Sequence, residues 1–94
     1  MGSERDYAET LALKALAWLA GNDELLPMFL GTTGLGADDL LARAGESEFL
    51  ASVLDFILMN DDWVTGFCDS AGLPYDRLMA ARALLPGGAD PHWT

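Results

Sequence analysis

The sequence predicts an all-α protein: a compact single-domain bundle of about six short helices around a buried central helix at about 48–59. Three observations predict it. Strong helix formers dominate, with 17 Leu and 14 Ala against one Ile, two Val and five Thr, the β-branched residues that favour strands. No segment alternates apolar and polar residues over strand length and then closes in a hairpin signal. Gly, Pro, Asn and Asp punctuate the chain at helix-length intervals.

The first helix is predicted near 4–20 and stops at Gly21. Asn22 or Asp23 caps a second, through LLPMFL, where Pro27 falls in a first turn whose N–H groups lack helical partners anyway. GTTGLG at 31–36 reads as a loop whose glycines supply positive φ. A third helix covers ADDLLARA and ends at Gly45. Ser47 caps the fourth, EFLASVLDFILM. Asn60 or Asp61 caps the fifth, DWVTGFCDSA, which Gly72 closes. Pro74 suits the first position of a sixth, PYDRLMAARALL, ended by Pro86-Gly87-Gly88. Residues 1–86 form the helical domain and 87–94 a flexible C-terminal tail.

The fourth helix is apolar around most of its circumference, through Phe49, Leu50, Val53, Leu54, Phe56, Ile57 and Leu58. Only Ser52, Asp55 and Met59 leave a narrow stripe. Such a helix belongs at the centre. Its expected neighbours are Leu11, Ala15, Trp18 and Leu19, then Trp63, Phe67 and Cys68, then Leu78 and Leu85. Asp55, if buried, requires hydrogen bonds from a helix start or pairing with a base, for which Arg77 and Arg82 are the candidates.

Fifteen acids against five bases set a formal charge of −10, which opposes binding to a phosphate backbone. Nine of those acids (Asp23, Glu24, Asp38, Asp39, Glu46, Glu48, Asp61, Asp62 and Asp76) sit at predicted helix starts. There a carboxylate opposes the positive end of the helix dipole, worth about 0.3–1 kcal/mol each. Helix chemistry therefore accounts for much of the acidity.

No chemical motif survives its context. Asp55, Asn60, Asp61 and Asp62 fail a calcium loop, because its sixth and twelfth places hold Thr65 and Ala71. The glycines at 31–36 follow no strand and precede Asp38 and Asp39, so they cradle no phosphate. The second and third helices outline a helix-turn-helix, but a recognition helix opening on two carboxylates repels DNA. Cys68 has no neighbouring base in sequence and reads as a buried, inert thiol. His92, the single histidine, falls in the tail beside Trp93. Asp6 stands where a myristoylation signal needs Ser or Thr. No catalytic, cofactor-binding or metal-binding residue is assigned, and no cofactor is expected.

The most informative feature is an excess of apolar residues. Thirty-three residues are Leu, Ile, Val, Met, Phe, Trp or Tyr, and mean hydropathy is +0.18. A domain this small has few sheltered positions, so several large side chains must face water. The first helix is apolar on two sides, with Leu11, Ala15, Trp18 and Leu19 on one and Leu13 and Ala17 on the other, bridged by Leu16. The expected interface is Leu13, Leu16, Ala17 and Ala20, with Met28 and Phe29.

The segments ALAWLA (15–20), FLGTTGL (29–35) and DLLARAGESEFLASVLDFILMNDDWVTGFCDSAGL (39–73) resemble an uncharacterised bacterial domain-of-unknown-function family, number 3572. The resemblance spans about 11–85, and Phe49–Phe56 is its most specific stretch. It implies a bacterial, soluble, helical protein and carries no activity, cofactor or site residue.

The expected function is a non-catalytic protein–protein interaction or homo-oligomerising module. The alternative is an acidic mimic or sequestering factor for a basic or nucleic-acid-binding protein, which needs most carboxylates on one face. The expected partner is a protein or a second copy of the chain, with no direct nucleic acid and no membrane. A single Cys and the absence of a long apolar run fit a reducing cytoplasm.

Overall fold

Residues 3–85 are described in a computed structural model, and they form six helices. These are α1 (Ser3–Ala20), α2 (Leu25–Thr33), α3 (Ala37–Arg43), α4 (Ser47–Leu58), α5 (Asp61–Ala71) and α6 (Arg77–Ala83). No strand occurs among the described residues. The predicted domain boundary at 86, the Pro86-Gly87-Gly88 stop and the tail with His92 and Trp93 lie outside the described residues.

Local chemistry sets the helix ends. The Asn22 side-chain oxygen accepts from the backbone N–H groups of Glu24 and Leu25, both at 3.0 Å, so Asn22 rather than Asp23 holds the turn that leads into α2, whose N-cap residue is Glu24. Asn60 likewise caps α5 by accepting from the Asp62 N–H at 2.8 Å. Gly72 closes α5 at φ +70°, in the left-handed conformation that glycine adopts without penalty.

Three boundaries differ from the sequence expectation. Residues 31–33 continue α2 instead of opening a loop, and of the glycines in 31–36 only Gly34 has positive φ, at +76°. The Thr33 hydroxyl donates to the Phe29 carbonyl at 2.9 Å, one turn back, a bond that a helical backbone makes available. Ser47 is the first residue of α4 and not its cap, because its hydroxyl donates across the fold to Glu9. Pro74 opens a turn before α6, which begins at Arg77, and the Arg77 N–H donates to the Pro74 carbonyl at 3.0 Å.

The core assembles around α4. Phe49, Leu50, Ala51, Val53, Leu54, Phe56 and Ile57 are buried on it, whereas Asp55 and Met59 face outward. Helix α1 packs most extensively against α4, supplying Leu11, Ala15 and Leu19, and α6 packs against both α1 and α4 with Leu78 and Ala81 buried. Phe29 is completely buried and meets Phe49 and Phe56 edge-on, with centroids at 6.0 and 5.3 Å. Phe56 stacks on Trp63 at 4.9 Å, and Trp18 meets Phe67 edge-on at 5.9 Å. Trp18 also lies over Gly66, where a Cβ would come within 3.2 Å of the indole.

A candidate interaction groove between α1 and α3

Two helices carry the same apolar spacing toward one another. On α1 it is Leu13, Leu16, Ala17 and Ala20; on α3 and its C-cap it is Ala37, Leu40, Leu41 and Ala44. Each set runs i, i+3, i+4, i+7, which places four side chains on one stripe of a helix. With Leu26 of α2 these stripes line a groove of about 430 Å³ whose lining, among the described residues, is Leu and Ala. Its lining differs in height. Leu41 projects almost wholly into solvent at 87% exposed, and Leu13 is 43% exposed, while Leu16 and Leu40 are buried beneath them.

Four of the six sequence-predicted interface residues, Leu13, Leu16, Ala17 and Ala20, therefore line one surface. Met28 and Phe29 do not. Met28 is exposed but outside the groove, and Phe29 points into the core against Phe49 and Phe56, so it is unavailable to a partner. Adjacent residues on a helix diverge by about 100°, which is why one faces water and the other the interior. The α3 half of the groove is missing from the sequence expectation. Its signal was present in Ala37, Leu40, Leu41 and Ala44, but ADDLLARA is short and two of its members are alanines.

Several polar groups outside the groove have partners within the chain. Arg82 holds Asp55 through two hydrogen bonds, and Asp55 is exposed, so the pairing expected of a buried carboxylate occurs at the surface. Arg77 donates to the Tyr7 hydroxyl at 2.6 Å and lies over its ring, 5.7 Å from the centroid. Tyr75 donates to Asp69 at 2.8 Å, and that bond, followed by the charge of Asp69, raises its pKa. Cys68 is a free, buried thiol whose pKa is raised by burial first and then by Asp69 and Asp76, leaving it protonated and unreactive near neutrality. No group of three His, Cys, Asp or Glu side chains able to hold a metal occurs among the described residues. None of the described helices is long and apolar enough to cross a membrane.

The fold and the groove define a small all-α bundle with an open apolar surface between two of its helices. The chain belongs to the family described as Protein of unknown function (DUF3572), whose model matches residues 5–88. No curated protein and no solved structure matches it.

Proposed function

We propose that this protein is a non-catalytic, self-associating module of the cytoplasm in which the α1–α3 groove receives the same groove of a second copy. The observation that carries the reading is the groove's composition: its nine described lining residues are all Leu or Ala, with Leu41 standing 87% exposed at its edge. A two-fold contact requires a surface complementary to itself. Here Leu41 and Leu13 supply protruding side chains, and Ala17, Ala20, Ala37 and Ala44 supply hollows beside them.

Charge is compatible with this contact. Each copy carries −10, but no ionisable side chain among the described residues lines the groove, so docking brings none of the described carboxylates into its apolar centre. The remaining repulsion is between surface charges, which salt screens over about 8–10 Å. The acidic-mimic alternative draws less support, because Glu9, Asp39, Asp55 and Asp69 each accept a hydrogen bond within the chain.

Sedimentation velocity over a micromolar concentration series tests the proposal. The expected result is a dimer at high micromolar concentration that tightens with added salt and becomes monomeric with Leu41→Asp. Because Leu41 lies at the surface, that variant keeps its helical circular dichroism. A protein that stays monomeric throughout the series overturns the proposal.

A further inference from the structure

Between α4, α5 and α6 lies a second hollow of about 580 Å³. Leu58, Val64 and Met79 give it an apolar floor and wall, and Tyr75, Asp61 and Asp76 add polar groups. No Lys or Arg among the described residues lines it. The two bases of this half of the chain are directed elsewhere, Arg77 onto Tyr7 and Arg82 onto Asp55. The two carboxylates therefore face an apolar hollow without a basic residue in its lining, in a chain of net charge −10. Met79 is 65% exposed at this site, and a methionine side chain is flexible enough to fit apolar groups of different shape.

We propose that this hollow docks an amphipathic, basic helical segment of another protein. An apolar side chain of that segment enters between Leu58, Val64 and Met79, while Lys or Arg residues one turn away meet Asp61 and Asp76. The chemistry follows from charge complementarity: an apolar concavity bordered by carboxylates, with no base among its described lining residues, selects a ligand that is apolar on one face and cationic beside it. This inference rests on α4–α6 alone and does not depend on self-association through α1 and α3.

The test is fluorescence anisotropy with a dye-labelled Leu/Lys amphipathic peptide of about four turns, and with a Leu/Glu peptide of identical pattern. The full chain binds the Leu/Lys peptide and not the Leu/Glu peptide. Asp61→Asn with Asp76→Asn weakens binding about tenfold, as expected for two surface charge contacts. Met79→Ala, a change at an exposed position, weakens it about threefold through lost apolar contact. Asp38→Asn with Asp39→Asn removes the same charge from α3 and leaves affinity within about twofold. Equal loss in that control assigns binding to overall charge and overturns the proposal, as do equal binding of the two peptides or no binding at all. Dimerisation measured on the same samples separates this outcome from failure of the self-association reading.

Discussion

The Arg82 guanidinium grips the Asp55 carboxylate with two parallel hydrogen bonds, Nε to Oδ1 at 2.6 Å and Nη2 to Oδ2 at 3.0 Å. This joins α6 to the outward stripe of α4 across 27 residues of chain. The burden of burial falls on the base: the Arg82 side chain is 15% exposed and that of Asp55 55%. Arg82 also donates to the Leu85 carbonyl at 3.5 Å, where the chain leaves α6.

Removing Asp55 leaves a largely buried guanidinium without its carboxylate, but water reaches the pair and screens it. Asp55→Ala is therefore expected to destabilise by about 0.5–1 kcal/mol. For a domain of this size that lowers the thermal midpoint by roughly 2–8 °C. A double-mutant cycle with Arg82→Met should return a favourable coupling that shrinks in high salt. Coupling indistinguishable from zero in calorimetry would show that the pair contributes geometry alone.

Two glycines respond oppositely to the same substitution. Gly31 lies inside α2 with nothing within 4 Å of an added Cβ, so Gly31→Ala should stabilise by about 0.5–1 kcal/mol through backbone entropy. Gly72 also has open space but sits at φ +70°, so Gly72→Ala should destabilise by about 1 kcal/mol from backbone strain. Urea denaturation of the two variants checks both signs, and a destabilised Gly31→Ala contradicts the helical assignment of 31–33.

Phe29 and Met28 are adjacent in sequence and opposite in consequence. Phe29→Ala removes a ring wedged between Phe49 and Phe56 and should cost about 3–5 kcal/mol, enough to unfold much of the population. Met28→Ala, at an exposed position, should change stability by less than about 0.5 kcal/mol. Near-equal urea midpoints for the two variants would contradict the buried position of Phe29.

Cys68 makes stability fall at alkaline pH. Its folded-state pKa is raised, chiefly by burial, so the folded chain holds the thiol proton where the unfolded chain has released it. The contribution is complete below the ordinary thiol pKa and is lost as pH rises through the raised folded value. Tyr75, whose pKa is raised by its bond to Asp69 and then by that carboxylate's charge, acts in the same direction. Denaturation midpoints followed upward from neutrality should decline, and less steeply in Cys68→Ala. An identical pH dependence in that variant removes the thiol from the explanation.

The sequence by itself determined the helical class, the number of helices and the central place of α4. Those properties follow from local propensity, capping residues and the period of apolar side chains, all legible within a dozen residues. Asn22, Asn60 and Gly72 act where local chemistry expects them. Locality also explains the misreadings. Gly31 and the two threonines after it favour a loop in isolation, yet they continue α2 once Phe29 is anchored between Phe49 and Phe56. Ser47 is a good cap in isolation, but Glu9 from α1 claims its hydroxyl.

Tertiary structure alone decided which apolar faces meet. Periodicity placed Leu13, Leu16, Ala17 and Ala20 on one side of α1, but it could not place the α3 stripe beside them or send Phe29 inward while Met28 stayed out. It could not choose between Arg77 and Arg82 as the partner of Asp55 either. The physical reason is that hydrophobic burial is non-directional: it sets how much of each helix must be covered, while close packing of the whole bundle selects what covers it.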